Sequence, residues 1–322
     1  MTTQIAPADA AVAAFIADSD NLFTAAYDLL PMAEQRRLYD SYWQRYHAPR
    51  PEGVSVEEVR IPRSDGASGS GACRALLYRP ARSAGPLATI VYFHGGGWML
   101  GSPESHDLAT ARICAWTGAA VLSVDYRLSP EHVFPDALMD GLAAVKWVAR
   151  EGRGRGLDPD RLAVAGDSAG GNLAAGLCLW IRDHGGPVIR HQTLIYPALT
   201  VRAAGGQSVG VSTESLGHYV TGYFGGQALS NNSYAMPLSA KSFAGLPPAC
   251  VATAEMDPIL PHGEKFVEHL RHAGITCDYT CGKGLPHTYL RLIHLSAAAQ
   301  SELEFCCGAI RSALALQQNK VA

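Results

Sequence analysis

The sequence predicts an α/β fold, a mostly parallel sheet with helices on both faces. Short apolar runs, such as 88–93 and 119–124, alternate with segments of helical period along most of the chain. Those runs lack the polar alternation of a half-exposed strand, which is the mark of strands buried on both sides. Glycine and proline are spread throughout, so no long linker divides the 322 residues.

The first 50 residues read as helix followed by helix, with Pro31 opening the second, where a missing amide hydrogen is harmless. Met32, Leu38, Tyr42 and Tyr46 recur at broadly helical spacing until Pro49. This part precedes any strand signal and reads as an attachment to the core. Val54, Val56 and 59–61 predict an extended segment. The Gly/Ser-rich turn 64–71 then leads into 73–78, which pairs with it as a hairpin. Strand 88–93 ends in a glycine cluster, 108–116 reads as helix, and 119–124 as strand. Leu138, Leu142, Val145 and Val148 make 136–150 a helix. The alternation goes on with strand 161–165, helix 170–182, and strands 193–196 and 249–254. Helix 263–272 stops at Gly274, strand 277–280 is the last strand, and helix 296–317 closes the chain. One stretch breaks the period. Residues 200–246 hold no convincing core strand and one helical stretch, 214–224, and an excursion this long reads as part of a lid.

Composition narrows the function. Lysine plus arginine number 26 against 29 acidic residues, a net charge of −3, and no basic block is present. Such a balance leaves no electrostatic footprint for nucleic acid or an anionic membrane. Apolar runs of about six residues fall far short of the roughly 20 needed to span a bilayer. The first twenty positions carry three aspartates and no basic segment, unlike a secretory leader. The eight cysteines are scattered, which predicts reduced thiols in a cytoplasmic protein and leaves one disulfide open.

The chemistry is written in Gly166-Asp167-Ser168-Ala169-Gly170-Gly171. An apolar strand precedes it and a helix follows, the strand–turn–helix context of a nucleophile elbow. Ser168 must stand on a strained turn, and Gly166 and Gly170 remove Cβ atoms where strand and helix meet. His94-Gly95-Gly96-Gly97 follows strand 88–93 directly. Three glycines are costly in backbone entropy unless the backbone itself is needed. Their amide hydrogens, with that of Ala169, form an oxyanion hole. A serine hydroxyl needs a base. Of twelve histidines, His94 reads as shaping the glycine loop, and His106 and His132 precede the elbow. His287 follows the last strand, where an open α/β sheet gathers its reactive groups. Asp257 has the same placement after strand 249–254, with Glu255 as the competing acid. The order Ser168, Asp257, His287 is the hydrolase order.

Other groups take plainer readings. His262, His269 and His272 lie in one helical region and read as a wet helix face rather than a metal site. Cys277 and Cys281 are four apart with no matching pair, and 152–156 reads as a loop. Tyr219, Tyr223 and Phe224 either face substrate or pack the lid.

Four stretches together carry a family resemblance. They are His94-Gly-Gly-Gly-Trp98, Asp125-Tyr-Arg-Leu-Ser-Pro-Glu-His132, Gly166-Asp-Ser-Ala-Gly-Gly171, and Asp257-Pro258-Ile259 with His287-Thr-Tyr289. The chain resembles the bacterial hormone-sensitive-lipase-like esterases of the α/β-hydrolases, from about residue 54 to its end. The Gly-Asp-Ser-Ala-Gly form points to one of that family's two main branches. The resemblance implies an eight-stranded, mostly parallel sheet from 51 to 322. It also implies a helical cap drawn from residues 1–50 and an insertion at about 200–235. By position it implies Ser168 as nucleophile, Asp257 as acid, His287 as base, and the amides of Gly96, Gly97 and Ala169 as oxyanion donors. It implies a small acyl ester as substrate, commonly with fewer than about ten acyl carbons, and neither cofactor nor metal. A monomer and a homodimer both fit it. One departure stands out: the family's usual Asp-Glu pair after Asp257-Pro258 is replaced by Pro261 and His262. Two other functions share these features, amide or N-acetyl hydrolysis by the same residues and small-ligand binding at a vestigial site. Non-catalytic plant receptors of the family lack the base, whereas His287 is present here. Trp98 and the 200–246 excursion are the candidates for setting the acyl-chain limit.

Overall fold

A computed structural model of the chain describes residues 5–63, 71–81, 85–202 and 212–316. Eight strands form one sheet: β1 (Val54–Pro62), β2 (Ala72–Pro80), β3 (Leu87–Phe93), β4 (Ala120–Asp125), β5 (Leu157–Asp167), β6 (His191–Ile195), β7 (Ala249–Ala254) and β8 (Cys277–Gly282). Their spatial order is β1-β2-β4-β3-β5-β6-β7-β8. β2 runs antiparallel to both β1 and β4, and every other pairing is parallel. The hairpin read from the sequence is therefore present, while its turn at 64–70 lies outside the described residues.

Strand side chains alternate between two cores. Val91, Phe93, Leu122 and Val164 join one with the helices α5 (Asp136–Glu151), α6 (Ala169–His184) and α8 (Leu260–His272). Ile90, Tyr92, Val121 and Ala165 point the other way, toward α4 (Asp107–Thr117) and α9 (Ala297–Ala313). Leu138, Leu142, Val145 and Val148 all lie on the buried face of α5. Each such side chain contributes about 1.5–3 kcal/mol on burial, an upper bound because the unfolded chain is already partly collapsed.

Several boundaries differ from the sequence reading. The N-terminal part holds α1 (Ala10–Leu22), a single turn α2 (Ala25–Asp28) and α3 (Met32–Gln44). Pro31 precedes α3 with extended ψ, and its carbonyl accepts from Glu34 and Gln35. β5 starts at Leu157 because Leu157 and Asp158 pair with Leu87 and Ala88 before an irregularity absorbs residues 159–161. Between β6 and β7 the described residues hold α7 (Thr213–Phe224), a 3-10 turn at Pro237–Ser239 and no strand. The last helix ends at Ala313, short of the expected 317, because Leu314 caps it and Ala315 turns to φ 50°. None of the described helices is long and apolar enough to cross a membrane.

His191 opens β6 fully buried, and among the described residues neither ring nitrogen has a partner. Burial pushes its imidazole down to about 4. Between that value and the unfolded value of about 6.5, the unfolded chain holds a proton that the native chain does not. Stability from His191 is thus present above about 6.5 and is lost as pH falls toward 4, at roughly 1.4 kcal/mol per pH unit. Chemical denaturation of His191→Leu across this range is expected to show a shallower acid slope than the parent. Parallel slopes would refute the assignment.

Candidate active site

The register levels the carboxyl ends of β3 and β5, with Phe93 opposite Gly166, and sets Asp167 opposite Ile195 of β6. Beyond that rim Ser168 takes φ 53° and ψ −117°, and α6 begins at the next residue. A non-glycine residue there is strained and persists only when its surroundings fix it. They do so through the backbone. Ser168 N donates to Ile195 O at 2.9 Å, while Ser168 O accepts from Asn172 N at 3.0 Å and Ala198 N at 3.1 Å. A Cβ on Gly170 would fall on the Phe93 carbonyl oxygen, so only glycine lets β3, β5 and α6 meet this closely.

Three side chains from distant stretches converge here. Ser168 Oγ lies 2.9 Å from His287 Nε2, and His287 Nδ1 lies 2.6 Å from Asp257 Oδ2. Asp257 Oδ1 accepts from Ile259 N at 2.9 Å, and all three residues are buried. The carboxylate accepts a hydrogen bond from Nδ1–H and so keeps the proton on Nδ1, which leaves Nε2 free to accept from the serine hydroxyl. Glu255, the competing acid, instead accepts from Gly284 N at 2.8 Å and Lys283 Nζ at 2.9 Å. It fastens the loop ahead of His287 without touching the ring.

The glycine loop completes the rim. Gly96 has φ 122° and Gly97 φ 60°, and Gly96 O accepts from Met99 N and Leu100 N in a tight turn. Among the described residues, no group accepts from the amides of Gly96, Gly97 or Ala169. With Ser168 and His287 these residues line a cavity of about 60 Å³. Its roof comes from Phe23, Tyr39 and Trp43 at the N-terminal helices and from Leu216 and Tyr219 of α7. The lid aromatics thus divide: Tyr219 faces the cavity over Gly97, whereas Tyr223 stacks on Trp98 at 4.4 Å between ring centres. Phe224 is also buried in packing.

A buried network beneath the loop has no counterpart in the motif reading. Asp167 accepts from Gly95 N at 3.0 Å, Tyr92 Oη at 2.7 Å and Tyr196 Oη at 3.3 Å. Burial would raise this carboxyl, but the adjacent His106 and Arg291 and the Tyr92 hydroxyl hold it well below the usual carboxylate range. Arg291 donates to His106 Nε2 at 2.9 Å, to Tyr39 Oη at 3.2 Å and to Ser105 O. Burial and that guanidinium push the His106 imidazole down. One signal was available: an arginine inside the apolar run Tyr289-Leu-Arg-Leu-Ile293 must find partners. His94 shapes the loop as expected, donating from Nδ1 to Gly95 O at 2.8 Å and stacking on Tyr126. Tyr126 in turn donates to His94 O at 2.7 Å, and burial pushes the His94 imidazole down to about 3.

The shared wet face expected for three histidines is a correction. His262 is buried, accepting from Leu199 N at 3.2 Å and donating to Arg202 O at 2.6 Å. It clasps the start of the excursion, and burial pushes its imidazole down. His269 stacks on Phe243, and of the three His272 alone is exposed. No group of three or more His, Cys, Asp and Glu side chains among the described residues could hold a metal ion. All eight cysteines are free, Cys250 and Cys306 approaching to 4.0 Å.

The chain is similar in sequence and fold to known proteins. Residues 90–291 match the family model described as alpha/beta hydrolase fold. The chain is 36% identical over 273 residues to the carboxylic ester hydrolase LipN of Mycobacterium tuberculosis, covering 78% of this chain and 69% of that one. It is 33% identical over 269 residues to the carboxylesterase NlhH of the same organism, covering 80% and 84%. A hyperthermophilic esterase from the archaeon Pyrobaculum calidifontis superposes with a TM-score of 0.86 at 31% identity, covering 95% of this chain and 98% of its own. Sheet order, elbow, glycine loop and these likenesses agree, and the chain belongs to the alpha/beta hydrolase fold family, among its hormone-sensitive-lipase-like esterases.

Proposed function

We propose that the chain is a carboxylesterase that cleaves short- to medium-chain acyl esters through an acyl-enzyme on Ser168. One observation carries the reading: a Ser168–His287–Asp257 relay opens into the same small cavity as three amides that lack acceptors among the described residues. His287 Nε2 takes the hydroxyl proton as Ser168 Oγ attacks the ester carbonyl, and Asp257 stabilises the imidazolium. The amides of Gly96, Gly97 and Ala169 receive the oxyanion, each worth about 3–4 kcal/mol by the cost of removing such a donor. His287 then protonates the departing alcohol, and water repeats the attack on the acyl-enzyme.

The N-terminal helices and the insertion containing α7 act as the cap. Its roof leaves about 60 Å³ at Ser168, on the order of two water volumes. A short acyl group fits that space, and a long chain requires the cap to move. Turnover across p-nitrophenyl esters from acetate to palmitate is expected to peak below about ten acyl carbons. A maximum at palmitate would overturn the short-chain reading.

A further inference from the structure

A second cavity, of about 300 Å³, lies beside the one at Ser168. Among the described residues Trp43 alone lines both. Its indole is held as a partition, with the Arg291 guanidinium 3.7 Å from the ring centre on one side and Tyr39 edge-on at 5.3 Å.

The two spaces differ in chemistry. The reaction cavity is walled largely by aromatic and aliphatic side chains, whereas the second presents Asp40, Gln44, His47, Ser102 and Ser105. The charges around the second cavity offset one another. Glu104 pairs with Arg74, Asp107 pairs with Arg50, and Asp40 faces the field of Arg291. A lining rich in donors and acceptors but balanced in charge suits neutral hydroxyl groups better than an ion.

Its position relates it to one half of an ester. The leaving oxygen must reach His287 Nε2 to be protonated, so the alcohol half lies on the side of His287. The chain after His287 turns through Tyr289–Leu292, and Leu290 and Arg291 of that turn line the second cavity. We propose that this cavity is an alcohol-side subsite for esters of neutral polyhydroxy alcohols, with Trp43 as the gate between it and Ser168. The inference rests on the esterase reading and adds the class of leaving group.

The test is the ratio of kcat/KM for glyceryl monoacetate to that for ethyl acetate, measured on the full chain. Trp43→Leu and Trp43→Ala are expected to raise the ratio at least about tenfold, the effect of opening or closing a pocket wall. Trp43 packs in an aromatic cluster, so thermal melts must first show that these variants fold. Gln44 is exposed at the end of α3, and Gln44→Ala keeps the test open if they do not. It is expected to lower the ratio about fivefold through KM, as for one lost hydrogen bond. Unchanged ratios in folded variants would overturn the subsite, as would a Trp43 variant that shifts only the acyl-chain profile. Failure of the parent protein to hydrolyse ethyl acetate would instead count against the esterase reading itself.

Discussion

Ser168→Ala is expected to lower ester turnover at least about 1000-fold and to leave the fold intact. The two halves of that expectation have separate physical grounds. Attack needs an oxygen at the position of Oγ, and this hydroxyl is the group within hydrogen-bond reach of His287 Nε2. Removing it leaves the amides and the cavity, which alone retain a residual advantage over water. The strained turn survives because its fastening is in the main chain: Ile195 O, Asn172 N and Ala198 N hold the amide and carbonyl of residue 168, whatever its side chain. A fluorophosphonate probe checks the same point without a substrate. It is expected to label the parent covalently and to leave Ser168→Ala unlabelled. Turnover near the parent level in a folded variant would remove Ser168 from the role. An unlabelled parent of native stability would favour a binding protein.

How much of this was legible depended on whether the signal was local. β3 and β4 are continuous apolar runs, and the elbow and glycine loop are contiguous motifs in which Gly96, Gly166 and Gly170 stand where a Cβ would strike backbone. Ser168, Asp257 and His287 could be paired because each follows a strand whose end a parallel sheet brings to one rim. Other features depend on tertiary contacts. Asp158-Pro159-Asp160 carries turn chemistry, yet β5 runs through it because its first residues have a partner strand in β3. His262 was grouped with His269 and His272 by helical region, but its ring turns inward to Leu199 and Arg202, residues far away in sequence. The Asp167–His106–Arg291 network joins three segments that no spacing rule connects. Cavity size was hidden for the same reason, since its roof comes from helices at the two ends of a long sequence interval.

Asp257→Asn is expected to cost about 10⁴-fold in turnover, as in the template serine–histidine–aspartate case. The residue's second hydrogen bond decides how the amide must sit. Ile259 N donates to Oδ1 at 2.9 Å, so that position demands an acceptor. An asparagine that meets the demand places its oxygen toward Ile259 and its NH₂ toward His287 Nδ1. The NH₂ can only donate, so Nδ1 must give up its proton, and the proton moves to Nε2. Nε2 then points a hydrogen at Ser168 Oγ and can no longer accept one, so the relay stops although every atom is nearly in place. The reversed amide keeps the imidazole tautomer but sets NH₂ against the Ile259 amide in a buried site, at a cost of about 1–3 kcal/mol for the unsatisfied groups. Glu255→Gln supplies the contrast. Glu255 holds Lys283 and Gly284 rather than the ring, so this variant is expected to retain turnover within about fivefold, as for a partly exposed ion pair. If Glu255→Gln proved the more damaging of the two, the acid of the relay would have to be reassigned.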